Sequence, residues 1–73
     1  MHKTNLMAIQ EDGQKLVMMD GTIWLINPDD IKKTFKWIPP CGILINEVNI
    51  KFEYDYSLTN TDEDITVTAQ RRR

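Results

Sequence analysis

The chain has 73 residues, room for one domain with one core, since domains run from about 50 to 200 residues. Its 41% apolar content is too high for a disordered chain. The single cysteine, Cys41, and single histidine, His2, exclude a disulfide framework and a structural zinc site.

Net charge is −2, but three of the nine bases are Arg71, Arg72 and Arg73; the rest carries six bases against eleven acids, a net of −5. Lys32, Lys33 and Lys36 cluster, whereas between Ile43 and Asp64 the acids Glu47, Glu53, Asp55, Asp62, Glu63 and Asp64 face Lys51 alone. Such segregation bears on partners rather than on fold. No apolar run exceeds four residues, and a membrane-spanning helix needs about 20. The start, Met1-His2-Lys3-Thr4-Asn5, lacks the apolar stretch of a signal peptide. A soluble, cytoplasmic protein with no membrane partner is the expectation.

Nineteen residues are β-branched (Ile, Val, Thr) against seven Ala and Leu, a balance suited to pleated, half-buried surfaces. In chain order, Leu6 to Ile9 reads as a first strand, followed by Glu11-Asp12-Gly13. Lys15 to Ile26 reads as a hairpin, two apolar runs joined by Asp20-Gly21, with a type I′ turn expected. On its second strand Ile23 and Leu25 point one way and Trp24 and Ile26 the other. Asn27-Pro28-Asp29-Asp30 ends the strand and offers a helix cap, so a short helical turn or loop follows. Lys33 to Ile38 alternates, with Phe35 and Trp37 on one side, and predicts a third strand closed by Pro39-Pro40. After Ile43-Leu44-Ile45-Asn46, the alternation of Val48, Ile50, Phe52, Tyr54 and Tyr56 predicts a half-buried strand. Asn60 to Asp64 reads as a polar turn, and Ile65, Val67 and Ala69 mark a last strand. Trp24, Trp37, Ile50 and Phe52 are the expected core.

Short, closely spaced strands with a helical turn between two of them predict an all-β fold: a small five- or six-stranded SH3-like barrel, with an OB-like barrel as the alternative, because closure removes exposed edges. Residues 1–73 form a single small β-barrel domain in this reading, with 71–73 a basic C-terminal tail.

The stretch Asp20-Gly21-Thr22-x-Trp24-x-Ile26-x-Pro28-x-Asp30, then Lys33-Thr34-x-x-Trp37-x-Pro39, with Ala69-Gln70-Arg71 near the end, resembles a group of small bacterial SH3-like β-barrel proteins of unassigned function. In that group a DG-S/T-x-W hairpin precedes a W-x-P strand. The resemblance covers about a third of the chain and does not extend over Gly42 to Leu58. It implies a bacterial source and a compact barrel, and no catalytic residue.

Chemistry-bearing constellations are sparse. A triad needs a nucleophile beside a base, and the chain offers Cys41, Ser57 and a terminal His2. Glu53 and Asp55 share one face of the expected strand, but Lys51 and solvent account for them. Asp62, Glu63 and Asp64 lack the spacing of a calcium loop. The expectation is therefore a non-enzymatic barrel without catalytic, metal or cofactor-binding residues, acting as a protein-interaction module, with addition of a partner strand to an open edge as one mode of contact. The alternative is a barrel that binds single-stranded nucleic acid, because bases interleaved with aromatics suit phosphates and stacked bases. Lys32, Lys33, Lys36, Trp37, Arg71, Arg72 and Arg73 form the candidate binding patch. A continuous basic face favours nucleic acid; a divided one favours protein contacts.

Overall fold

A computed structural model describes residues 2–48 and 53–72. Its architecture is all-β: six antiparallel strands, β1 (His2–Gln10), β2 (Lys15–Met18), β3 (Ile23–Ile26), β4 (Cys41–Glu47), β5 (Tyr56–Asn60) and β6 (Ile65–Arg72), with one short helix, α1 (Ile31–Thr34). They close into a barrel in the order β1-β2-β3-β6-β5-β4, β4 returning to β1. Two three-stranded meanders are thus joined along two seams, β1–β4 and β3–β6. Among the described residues no helix is long and apolar enough to cross a membrane.

One strand turns the corner between the meanders. The first half of β1 pairs with β4 (His2↔Ile45 to Leu6↔Cys41) and the second half with β2 (Leu6↔Met18 to Gln10↔Lys15), with a register shift between Leu6 and Ala8. Such a shift bends a strand and lets it serve two neighbours. Alternation then fills the interior: Leu6, Leu16, Met18, Trp24, Ile26, Cys41, Ile43, Ile45, Leu58, Val67 and Ala69 are buried, and Trp37 joins the same cluster from outside the strands. The other face of β3, Ile23 and Leu25, is half-buried.

The hairpin forms at the expected place with a different turn. Met18 N–H donates to Thr22 O at 2.9 Å and Gly21 N–H to Met18 O at 3.0 Å, which makes a three-residue loop of Met19, Asp20 and Gly21. A type I′ turn needs positive φ at both central residues. Here Gly21 has φ +90° and Asp20 does not share it. The Asp20 side chain instead accepts from Thr22 N–H (2.9 Å) and Thr22 Oγ1 (2.6 Å).

Three further expectations are corrected. The Lys33–Ile38 strand, and with it the W-x-P strand of the resemblance, is absent: a 3-10 turn over Pro28–Asp30 runs into α1, and Trp37 follows in irregular chain. Asn27 Oδ1 accepts from Asp29 N–H at 3.0 Å, Pro28 takes the first helical position, and inward residues Ile31 and Thr34 follow the helical period, not the strand period. Phe35 and Trp37 consequently part, one exposed and one buried. The Val48–Tyr56 strand is displaced: Glu53 and Tyr54 form a bend and β5 begins at Tyr56. Ile50 and Phe52 lie outside the described residues. Lastly, Arg71 and Arg72, read as part of a tail, end β6 and pair with Trp24 and Ile23; Arg73 lies outside the described residues.

Candidate functional site

Antiparallel order divides the connections between the two ends of the barrel. One end carries the β1–β2 turn, the β3–β4 connection with α1, and the β5–β6 turn; the other carries the β2–β3 loop, the β4–β5 connection, the start of β1 and the end of β6.

At the first end α1 is pinned to the barrel by polar contacts. Thr34 Oγ1 donates to Gly13 O at 2.7 Å and lies within 3.1 Å of Ile31 O. Asp30 Oδ2 accepts from Thr68 N–H (2.9 Å) and Thr68 Oγ1 (3.1 Å), and Asn27 Nδ2 donates to the same Oγ1 at 3.0 Å. These contacts aim Lys32, Lys33, Lys36 and Trp37 at a hollow of about 290 Å³, closed opposite by Glu63 and Ile65. Glu63 is held there by buried Asn60, whose Oδ1 accepts from Asp62 N–H (3.0 Å) and Glu63 N–H (3.3 Å) while Nδ2 donates to Glu63 Oε2 at 3.5 Å. Phe35 is 62% exposed and Ile38 80%, whereas Trp37 between them is 3% exposed; Phe35 lines a separate hollow with Asp12, Pro28, Asp29, Ile31 and Lys32. Lys33 Nζ pairs with Asp30 Oδ1 at 3.3 Å. Five further acids, Glu11, Asp12, Asp29, Asp62 and Asp64, stand exposed on the connections of this end.

Arg71 belongs to the other end, in a hollow of about 300 Å³ with His2, Asp20, Thr22, Trp24, Ile45 and Tyr56. Trp24 meets Tyr56 edge to face at 5.0 Å, and Trp24 Nε1 donates to Thr22 Oγ1 at 3.0 Å. His2 Nε2 lies 2.8 Å from Asp20 Oδ2. The Thr22 hydroxyl is the main cause of an Asp20 pKa lowered to about 2, and His2 adds to it.

The candidate patch is therefore two groups. Lys32, Lys33, Lys36 and Trp37 converge; Arg71 and Arg72 lie apart, since β6 runs from Ile65, in the lysine hollow, to Arg71, in the other. Six residues of strand span about 20 Å. Other sequence-named groups also separate. Cys41 is opposite Leu6 and His2 opposite Ile45, about 13 Å along the ladder, and burial with Asp62 and Glu63 nearby raises the Cys41 pKa. Among the described residues no three His, Cys, Asp or Glu side chains gather as a cation site. Sequence reasoning missed Glu63 and Ile65 as partners of the lysines, and Phe35 and Ile38 as exposed; a helical period read from Pro28 onward would have turned Phe35 outward.

Comparison with family models, with curated proteins and with solved structures returned no match.

Proposed function

We propose that the protein is a non-enzymatic, SH3-like binding barrel that contacts a protein partner through the end carrying α1. The observation that supports this most is the exposure of two apolar side chains, Phe35 and Ile38, on the chain segment that also carries Lys32, Lys33, Lys36 and Trp37. Exposed apolar groups rimmed by charge are what protein contacts bury. Closure of the sheet, with each strand lying between two neighbours, favours surface contact over strand addition. The Asp20-Gly21-Thr22-x-Trp24 hairpin supports kinship with the small bacterial barrels. The free thiol of Cys41 suits a reducing cytoplasm.

The nucleic-acid reading gains an exposed ring, Phe35, on which a base would stack. It loses more: the arginines lie about 20 Å from the lysines, and the acids around the lysine end repel a chain of phosphates. Co-purification from the native host tests the choice. A partner retained by the wild type and lost from the double variant Phe35→Ser, Ile38→Ser is expected, with no shift of a single-stranded oligonucleotide in low salt. Oligonucleotide binding that falls with salt and is lost on Phe35→Ser would reverse the choice.

A further inference from the structure

We infer that the outer wall of the barrel over β1, β2 and β3 is a second contact surface, one that takes a short amphipathic helix of a protein partner with its apolar face flanked by Asp or Glu. This surface lies on the side of the barrel, whereas Phe35 and Ile38 belong to the connection at its end.

Register places the apolar residues. Leu6 and Ile9 both pack into the core, so Met7 and Ala8 between them both face outward, at the register shift that gives β1 an extra residue opposite β2. Ala8 pairs with Val17, Val17 with Ile23, and Lys15 with Leu25. Paired residues share a face, so Val17, Ile23 and Leu25 continue the same outer surface. Met19 follows the buried Met18 and donates its N–H to Asn5 O of β1 at 2.8 Å. Met7 is 53% and Met19 55% exposed, and Ala8, Val17, Ile23 and Leu25 are half-buried. Elsewhere the outer wall is polar: the row across β1, β4, β5 and β6 reads Lys3, Leu44, Thr59 and Thr66. An apolar sheet face is ordinarily covered by a packed layer. Here the helical elements sit in the connections at one end, and the contiguous apolar patch stays open to a partner.

Charge and size set the occupant. Arg72 pairs with Ile23 and Lys15 with Leu25, so both charges stay within a side-chain length of the apolar centre whichever way their heads turn. Neither forms an ion pair among the described residues. The neighbouring acids Glu11 and Asp20 stand in the flanking turns, Asp20 already against His2. An acidic partner gains where a second copy loses, because a two-fold contact sets Lys15 and Arg72 of both copies on one rim. Lipid surfaces are recognised by clusters of about four or more bases, and this chain has a net charge of −2. The patch is about 10 Å wide from β1 to β3 and about 13 Å long from Lys15 to Met19, the footprint of about two turns of helix. Closure of the sheet favours an element laid on the face over a strand added at an edge. So small a footprint makes the contact weak and reversible, and the unbranched Met7 and Met19 adapt to differing apolar anchors.

Nuclear magnetic resonance of the protein labelled at methionine methyls and backbone amides reads this surface directly. The probe is the capped peptide acetyl-Ser-Leu-Glu-Glu-Leu-Leu-Glu-Ala-Leu-Glu-Gln-Leu-amide, with its Glu→Lys counterpart as a second arm. The Glu peptide should move the Met7 and Met19 methyls and the Val17 and Ile23 amides in a saturable way below millimolar concentration, and leave the Met18 methyl in place. The Lys peptide should bind about tenfold more weakly. Lys15→Glu with Arg72→Glu should reverse that preference, which a loss of structure would not do. Met7→Gln with Met19→Gln changes only exposed side chains, so it stays folded, and it should weaken the Glu peptide about tenfold. Phe35→Ser with Ile38→Ser should leave the response as it is.

Methionine signals unmoved at millimolar Glu peptide, equal binding of the two peptides, or an unchanged affinity in the methionine variant overturns the proposal. A response lost in Phe35→Ser, Ile38→Ser overturns it too, because the peptide then sits on the α1 end. Shifts at Met7 and Ile23 that grow with protein concentration in the absence of peptide overturn it in favour of a second copy. Broadening of the same signals by vesicles of phosphatidylserine and phosphatidylcholine overturns it in favour of a lipid surface.

Discussion

Two glycines with left-handed backbones separate strain from space. Gly13 has φ +99°, and a Cβ there would meet Phe35 N and Thr34 Oγ1 at 2.9 Å; Gly21 has φ +90° with nothing within 4 Å. Gly21→Ala therefore bears the conformational cost alone, about 1–2 kcal/mol, whereas Gly13→Ala adds overpacking of the α1 contact, for about 2–5 kcal/mol in all. Denaturant titration of the two variants checks the order; equal losses would mean that the turn at Gly13 yields. A second residue-scale prediction concerns acid. The Asp20 pKa falls from 3.8 to about 2 on folding, so the stabilisation is fully present above about pH 4 and fades as pH falls through about 2. Asp20→Asn keeps an acceptor for Thr22 and loses the charge. Its melting temperature should lie below that of the wild type at pH 5 to 7, and the gap should close between about pH 4 and 2. A gap independent of pH would assign the loss to turn geometry instead.

At the scale of the element, the connection over residues 27–40 decides where the candidate site lies. Its sequence carried both patterns: Asn27-Pro28 with the acids after it reads as a helix start, and Phe35-x-Trp37 reads as a strand. The helix wins because Asn27 caps the 3-10 turn that leads into it and the Asp30–Thr68 bonds fix that turn to β6. Alternation told the truth in β3 and β6, where Trp24, Ile26, Val67 and Ala69 turn inward, whereas β4 was not read from it. It misled around Val48–Tyr56, where Val48 is exposed outside any strand and Tyr54 sits in a bend, and no local pattern distinguishes that from a strand. Thr34 is the test of the element. Its hydroxyl is fully buried and bonded to Gly13 O, so Thr34→Val leaves a carbonyl unsatisfied and should cost about 1–3 kcal/mol. In that variant the Lys32 and Lys36 amide signals should shift while those of β4 and β5 stay in place. Wild-type stability would mean that Thr34 holds nothing.

The closed barrel was legible in the sequence from short strands, turn residues and an excess of β-branched side chains, because closure is a global remedy for exposed edges. Which basic residues share a face was not, since that depends on strand direction: β6 leaves the lysine hollow at Ile65 and reaches the opposite hollow at Arg71. The arginines accordingly have a structural duty that a tail would lack. Arg71 and Arg72 complete the β3–β6 seam opposite Trp24 and Ile23, and without them only Leu25↔Gln70 and Ile26↔Ala69 remain of its four pairs. A chain ending at Gln70 should lose about 1–2 kcal/mol, the net worth of the ladder bonds removed, or roughly 4–16 °C in melting temperature for a domain of this size. Replacing charge without backbone is the control. Arg71→Gln with Arg72→Gln keeps the ladder, and exposed substitutions of this kind stay within about 0.5 kcal/mol. Hydrogen exchange locates the effect: the truncated chain should lose protection at β3 amides while the β1–β4 seam keeps its own. If truncation leaves the melting temperature and the β3 amides unchanged, the arginines are a tail after all and the barrel closes without them.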